Sequence, residues 1–383
     1  MKISKSSIML VVCAFVALLF PPQLSAQGHC DHSGFPGPKL VEFDAPNAGT
    51  APGLGTQPLA NNSDCAIVGY YQDANEVFHG FLRKPDGKII ALDAPGAGSV
   101  ASSGQGTAAY SINDFGVIAG LVQDANNTVH GFVRYPDGGY CVFDAPGAGT
   151  GGDLGTYAFN INSLGTVAGE YFDANNVSHG FVRWIDGHIA TFDAPDASAA
   201  GGGTAVCEET CISLEGAVTG WYYDASSGVH GYVRRPDGHI IDFDAPGASP
   251  LPFYGTIGSS INQEGTVAGY YVDPNNVAHG FLRRGDGGFT TVDDPNASMI
   301  SGEGTGLFSI NFFGALAGSY FDANSALHGF ARSSSGTFSE FDAPDAGTGN
   351  FQGTRASTNN FEGEVTGWYT DGNNVNHGFV WRP

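Results

Sequence analysis

The sequence predicts an all-β protein, a seven-bladed β-propeller, and three observations lead to this fold. A long phrase recurs along the 383-residue chain, and its His-Gly pairs at His79, His130 and His179 are 51 and 49 residues apart. Glycine is abundant, with 58 residues, and no ten-residue stretch has the 3.6-residue apolar period of a helix. Each copy also divides into four short apolar segments separated by turn residues. Four antiparallel strands per repeat of about 50 residues are typical of a propeller blade.

A His-Gly pair and an Asp-x-Pro ending mark the repeat, and each occurs seven times. Seven copies predict seven blades, because a single sheet of this kind buries both faces only when neighbours stack on it. The His-Gly pairs begin at His79, His130, His179, His230, His279, His328 and His377. The Asp-x-Pro endings begin at Asp44, Asp93, Asp144, Asp193, Asp244, Asp293 and Asp342.

The third copy shows how one blade is built. Its first strand follows a Gly-Thr pair, and its last two strands are joined by the hairpin turn Ile185-Asp186-Gly187. Pro195 ends the fourth strand, because proline cannot donate to the ladder. The four strands are predicted at residues 155–162, 166–173, 179–184 and 188–192.

The two ends of the chain supply complementary parts of one blade. The last copy stops at Pro383, which corresponds to Pro85 of the first copy and precedes the fourth strand. The missing strand is present at residues 39–43, near the other end. We therefore predict a domain at 37–383 whose ring is closed by the N-terminal strand, which completes the last blade.

The first 26 residues are predicted to be a signal peptide. Lys2 and Lys5 form a basic region, an apolar run follows at 8–20, and Leu24-Ser25-Ala26 is a plausible cleavage site. Residues 27–36 are then an N-terminal tail. No other long apolar stretch occurs, so we expect no membrane span and a monomer secreted or held in the periplasm.

The charge of the chain favours some partners over others. Without Lys2 and Lys5, the 15 Lys and Arg residues fall to 13 against 38 Asp and Glu, a formal charge of −25. This surface repels the phosphates of nucleic acids, so we expect no nucleic-acid partner. Cations or basic partners are favoured, and simple solubility is the alternative explanation.

One motif resembles a known family. Ile112-Asn113-x-x-Gly116-x-Ile118-x-Gly120, followed by His130-Gly131-Phe132, is similar to the bacterial extracellular repeat named for a His-Ala-Phe core, the HAF repeat. The resemblance covers roughly 55–383, with Gly in place of the middle Ala. It implies an exported, propeller-like protein and brings no catalytic residue or ligand. The Phe-Asp-Ala-Pro ending departs from that family's pattern.

Polar residues recur in columns, and a structural role explains them best. Each His of the His-Gly pairs follows an Asp by six residues and precedes an Arg by four, except that Trp381 replaces the last Arg. An enzyme needs one site, whereas these groups occur around a whole ring. Hydrogen bonds from His or Arg to Asp that tie each hairpin together are therefore predicted. A column of Asn residues, with Ser213 in one place, is predicted to form turns.

Two metal sites are weaker candidates. Asp124, Asp173 and Asp273 begin loops rich in oxygen ligands that could bind calcium, although they lack the spacing of an EF-hand. If cleavage follows Ala26, His29 stands third in the mature chain, where it could help to bind copper(II) or nickel(II) in a square plane. A flexible tail is the alternative there. We expect no cofactor other than, as a candidate, calcium.

The mature chain contains five cysteines, and two disulfides are predicted. Cys30 and Cys65 are expected to lie on the same face of the disc, in adjoining blades. Cys207 and Cys211 flank a three-residue insertion in the fourth copy and can pair if the insertion loops out. Cys141 is the fifth cysteine, outside both pairs.

A ligand site is predicted where the repeat is broken, at the centre of the disc. Side chains that depart from their column there would form an asymmetric polar mouth, and drift at undemanding positions is the alternative. The candidate residues are Glu170, Glu208, Glu209, Trp221, Arg355 and Trp368. The predicted function is that of an exported binding scaffold for an unknown protein or glycan. The alternative is a lyase or hydrolase that acts on glycans or peptides at the same mouth.

Overall fold

The computed structural model describes residues 39–199 and 202–383, and every regular element within these ranges is a β-strand. The all-β prediction is confirmed. In the described ranges no helix is long and apolar enough to cross a membrane. The predicted signal peptide, the tail at 27–36, His29 and Cys30 all lie outside the described residues.

The described residues form 28 strands, most of them four to seven residues long. In the third copy the predicted strands agree with the observed ones to within one residue at each end. The strands are β1 Lys39–Phe43, β2 Gly55–Asn61, β3 Ile67–Gln72, β4 Phe78–Arg83, β5 Ile89–Leu92, β6 Gly106–Ile112, β7 Ile118–Gln123, β8 Val129–Arg134, β9 Tyr140–Phe143, β10 Gly155–Ile161, β11 Val167–Phe172, β12 Ser178–Arg183, β13 Ile189–Phe192, β14 Thr204–Val206, β15 Val218–Tyr223, β16 Val229–Arg234, β17 Ile240–Phe243, β18 Thr256–Ile261, β19 Val267–Val272, β20 Ala278–Arg283, β21 Phe289–Thr291, β22 Thr305–Ile310, β23 Leu316–Phe321, β24 Leu327–Arg332, β25 Phe338–Phe341, β26 Gly353–Asn359, β27 Val365–Thr370 and β28 Asn376–Arg382.

Neighbouring strands pair antiparallel in groups of four, which we call units. Unit 1 is β2–β5, unit 2 is β6–β9, unit 3 is β10–β13, unit 4 is β14–β17, unit 5 is β18–β21 and unit 6 is β22–β25. Unit 7 contains β26, β27 and β28 together with β1 from the beginning of the chain. β1 runs antiparallel to β28, with Lys39 opposite Arg382 and Phe43 opposite Gly378.

Each unit meets the next through the glycine before its first threonine. Gly155 has φ +136° and lies so close to unit 2 that a Cβ there would meet the carbonyl oxygen of Val129 at 1.9 Å. Only glycine fits, because it has no side chain and adopts this φ without strain. Gly55 makes the same contact with Asn376, so unit 1 touches unit 7 in the way that every other unit touches its predecessor.

The threonine after this glycine is hydrogen-bonded to the Asp-x-Pro ending of the preceding unit. Thr156 is fully buried, and its Oγ1 accepts a hydrogen bond from the backbone N–H of Ala145 at 2.8 Å. Ala145 belongs to the preceding unit, so the bond crosses the boundary between units. The same bond occurs at all seven Gly-Thr pairs, including that from Ala45 to Thr56.

The hydrophobic core lies between units. The phenylalanine of each His-Gly-Phe triplet is buried, as Phe181 is, and one cluster joins it to Val133 and Ala119 of the preceding unit. Because each apolar face is covered by the next sheet, a unit gains its stability from its neighbours.

Candidate functional site

The repeated His and Asp residues are held together inside each unit. In unit 3, His179 contacts Asp193 through Nδ1 at 2.8 Å, while its Nε2 lies 3.9 Å from Asp173. Tyr171 stacks on the same imidazole, with the two rings 4.9 Å apart. A hydrogen bond to Asp144 raises the pKa of the equivalent His130 against the opposing effect of its burial. Equivalent pairs occur in all seven units, which supports the structural role.

The arginine column packs on aromatic rings. The Arg183 guanidinium carbon lies 4.7 Å from the ring centroid of Phe143 in the preceding unit. Arg83, Arg234 and Arg283 stack on a neighbouring unit in the same way. Trp381, which replaces the last arginine, stacks on Phe341 at 4.8 Å and so fills the same role without a charge.

The asparagine column forms turns, as predicted, and also links the units. Asn113 Oδ1 accepts the backbone N–H groups of Phe115 and Val117, each at 3.0 Å. Its Nδ2 donates to the carbonyl oxygen of Asn162 in the next unit at 3.0 Å. The series continues from Asn360 back to Asn62 at 3.1 Å. Ser213 has no amide, so unit 4 cannot make this bond.

The aspartates proposed for calcium are already hydrogen-bonded. Asp173 Oδ1 accepts the N–H groups of Asn175 and Val177, and Oδ2 accepts the Asn175 side-chain amide. The Val177 bond is the largest of the effects that lower the pKa of Asp173. Asp124 and Asp273 have the same arrangement. No group of three His, Cys, Asp or Glu among the described residues could hold a metal ion, and calcium binding stays a prediction.

The cysteines of the fourth copy form the predicted disulfide. Cys207 and Cys211 are joined, with their Cα atoms 5.6 Å apart, so the insertion does loop out. Cys141 is buried and accepts a hydrogen bond from Arg183 at 3.5 Å. Because Cys30 lies outside the described residues, its pairing with Cys65 stays a prediction.

The looped insertion points two carboxylates into a cavity of about 410 Å³, which we call the acidic cavity. Units 4, 5, 6 and 7 all contribute to its lining. Its most prominent side chains are Glu208, Glu209, Trp221, Tyr270, Phe308 and Arg355. Such a volume lies within the usual range for small-molecule sites.

Arg355 is the centre of this arrangement. Its guanidinium carbon lies 4.1 Å from the ring centroid of Phe308 and 5.1 Å from that of Trp368. Its Nη2 is 3.6 Å from Glu209 Oε1. Desolvation raises the pKa of Glu209 to about 7, although Arg355 opposes the shift. Glu208 is exposed to the solvent of the cavity, yet the surrounding protein desolvates its carboxylate enough to raise its pKa as well.

Glu170 lies apart from the other candidates. It is 9% exposed and does not line the acidic cavity. Its Oε2 accepts hydrogen bonds from the Val206 N–H at 3.0 Å and the Ser178 hydroxyl at 3.2 Å. Burial raises the pKa of Glu170 to about 8. Its position between units 3 and 4 indicates a structural role.

Sequence reasoning missed Glu303, which also lines the acidic cavity. Glu303 is the only acid among the seven residues that directly precede the Gly-Thr pair at the start of a unit, and this departure from the repeat is the signal that marks it. A second cavity of about 570 Å³ is lined by residues of units 1, 2 and 3, among them Tyr70, Tyr110 and Tyr157. We call it the tyrosine cavity.

Comparisons with known proteins bear on the fold. No protein-family model matches this chain, and no curated protein does, so the resemblance to the HAF repeat stays a prediction. The BP39L lectin from Burkholderia pseudomallei is similar in structure, with a TM-score of 0.50, 10% identity, and coverage of 84% of this chain and 94% of that chain.

Two further solved structures have lower TM-scores. An Aleuria aurantia lectin mutant in complex with Fucα1-6GlcNAc has a TM-score of 0.40 and 13% identity, over 85% of this chain and 91% of that chain. AofleA from Arthrobotrys oligospora has a TM-score of 0.42 and 11% identity, over 82% and 93%. The likeness to the Burkholderia pseudomallei protein, together with the strands described above, gives this chain a β-propeller-like all-β fold. At these identities the likeness concerns the fold alone.

Proposed function

We propose that the protein is an exported β-propeller that acts as a glycan-binding scaffold, with its ligand in the acidic cavity. The observation that carries this proposal is the cavity itself, where Trp221, Tyr270 and Phe308 lie beside ionisable side chains. Aromatic faces combined with a few polar groups are typical of small-molecule sites. The Burkholderia pseudomallei protein is a lectin, which makes carbohydrate the first ligand class to test.

In this proposal the seven units are the blades of a closed ring, and β1 is the fourth strand of the last blade. The contact of Gly55 with Asn376 and the hydrogen bond from Asn360 to Asn62 support closure. Export is supported by the apolar N-terminal run and by the disulfide between Cys207 and Cys211, since disulfides persist in oxidising compartments.

An enzyme of the hydrolase or lyase class is the second candidate. Its support is Glu209, because a carboxyl group with a pKa of about 7 in a cavity is suited to general acid–base chemistry near neutral pH.

Glycan-array binding followed by titration calorimetry on the purified protein tests the proposal. We expect a glycan to bind, and Trp221→Ala to weaken its binding about tenfold or more, because buried aromatic contacts dominate such sites. Phe115→Ala, in an exposed turn of unit 2 and outside the lining of the acidic cavity, is the control and should bind like the wild type. Release of shorter sugars from the bound glycan would favour the enzyme instead.

A further inference from the structure

The acidic cavity carries an excess of negative charge. Glu208, Glu209 and Glu303 line it with one cationic side chain, Arg355. Arg355 lies 3.6 Å from Glu209. Glu208 and Glu303 form no ion pair with any residue in the described ranges, and Arg355, which also favours the ionised form of Glu208, is the single cation of the lining. The lining therefore carries more carboxylates than cations.

Glu303 gives a second and independent indication of a ligand. The residue is only 6% exposed. Its Oε1 accepts a hydrogen bond from the Ser325 hydroxyl, whereas its buried Oε2 has no hydrogen-bond partner among the described residues. Buried polar atoms in native proteins are almost always satisfied, so a donor from a bound molecule would complete this environment.

The aromatic lining is suited to a cation. Arg355 already lies against the faces of Phe308 and Trp368, so a positive charge is accommodated there. Trp221 and Tyr270 provide further rings in the same lining. The negative face of an aromatic ring attracts ammonium groups within about 6 Å, most strongly when water is excluded.

An organic cation fits this lining better than a metal ion. Calcium requires several oxygen ligands at about 2.3–2.6 Å. Among the described residues no three His, Cys, Asp or Glu are grouped closely enough to hold a metal. A larger ammonium-bearing molecule can reach carboxylates that are spread around a cavity of about 410 Å³.

We infer that the acidic cavity selects a glycan that carries a protonated amine, an amino sugar whose nitrogen is not acetylated. The inference rests on the proposed glycan-binding function and specifies the ligand of the same site. The acidic excess of the whole chain, 38 Asp and Glu against 15 Lys and Arg, would also attract such a cation to the surface.

Titration calorimetry with two matched oligosaccharides at pH 7 tests the inference. Tetramers of glucosamine and of N-acetylglucosamine share one sugar skeleton and differ in the charge of the nitrogen. We expect the glucosamine tetramer to bind at least about tenfold more tightly, from the added ion-pair and cation–π contacts. Equal or tighter binding of the acetylated tetramer overturns the amine inference and leaves the glycan proposal standing.

Spermidine, an amine without a sugar, distinguishes binding of an amine from binding of a glycan. Strong binding of spermidine, with neither tetramer and no glycan of the array bound, retains the cation-binding site but overturns the glycan proposal and the amino-sugar inference with it. Binding of no probe, including the members of the glycan array, overturns both proposals.

Charge-removing variants locate the site. Glu208→Gln, whose side chain is exposed to the cavity, should reduce the preference for the glucosamine tetramer severalfold, and Glu303→Gln should do the same. Asp153→Asn removes one carboxylate from the lining of the tyrosine cavity and is the matched control, with the preference unchanged. Thermal melting of each variant verifies folding. If both Glu variants fold and keep the full preference, the assignment to the acidic cavity is wrong.

Discussion

At the scale of single residues, Glu170 is the clearest case of a carboxyl group held in an unfavourable environment. Burial raises its pKa from 4.5 to about 8, against hydrogen bonds from Val206 and Ser178 that favour ionisation. Between these two pH values the unfolded chain has released this proton and the folded chain keeps it. The free energy of unfolding therefore falls as the pH rises through this window.

Replacing Glu170 by Gln should remove this pH dependence. Relative to the variant, the wild type should lose on the order of 2 kcal/mol of unfolding free energy between pH 5 and pH 8.5. Urea denaturation at the two pH values measures the difference, and Glu264→Gln, in an exposed turn, is the control. Parallel stability curves for wild type and Glu170→Gln would contradict the prediction.

At the scale of elements, one asparagine side chain can both close the turn between the first two strands of its unit and link that unit to the next. Asn113 closes its own turn through Oδ1 and bonds to the next unit through Nδ2. Ser213 retains only the first role, with its hydroxyl accepting the Ala217 N–H at 3.1 Å. Unit 4 is therefore a natural example of this turn without the amide bond to the next unit.

Asn113→Ser should lower the free energy of unfolding by about 1 kcal/mol, because it loses the bond between units, while the Asn162 carbonyl oxygen keeps the N–H of Gly165 at 2.9 Å. Asn113→Ala should cost about 2–3 kcal/mol, because the turn amides lose their acceptor too. Guanidinium denaturation of both variants gives the comparison. If Asn113→Ser leaves the free energy of unfolding unchanged, the bond to Asn162 contributes nothing measurable; if the two variants cost the same, the turn acceptor contributes nothing measurable.

Most strand and turn positions could be predicted from the sequence, because strands and turns depend on local residue patterns. The period, the glycine turns and the Asp-x-Pro endings marked each strand to within about a residue in unit 3. The spacing predicts Asp173 as the partner of His179, and this prediction was wrong. The register places Asp193 on Nδ1 and leaves Asp173 3.9 Å from Nε2. The acidic cavity needed the full three-dimensional arrangement, because Glu303 and Arg355 come from different units and only packing brings them together.

At the scale of the whole molecule, β1 connects the two ends of the chain. Asp44 lies 2.9 Å from His377 and takes the place that Asp193 has beside His179. The N–H of Ala45 donates to Thr56 Oγ1 at 2.9 Å, which links unit 7 to unit 1. One short segment therefore contributes a strand, a histidine partner and a boundary contact.

Deletion of residues 27–46 should lower the melting temperature of the entire domain in one cooperative step, because units 1 and 7 would lose their shared boundary. Deletion of 27–36 retains β1 and is the control. Differential scanning calorimetry compares the two proteins. An unchanged melting temperature after removal of β1 would argue against a closed ring.

Ser213 cannot donate the amide bond that Asn113 donates to the next unit, and the loop that carries Glu208 and Glu209 lies at the same boundary. There the N–H of Ile261 donates to the carbonyl oxygen of Thr210 in that loop at 3.0 Å. A molecule bound across units 4 to 7 would add contacts at this boundary, so ligand binding should raise the melting temperature.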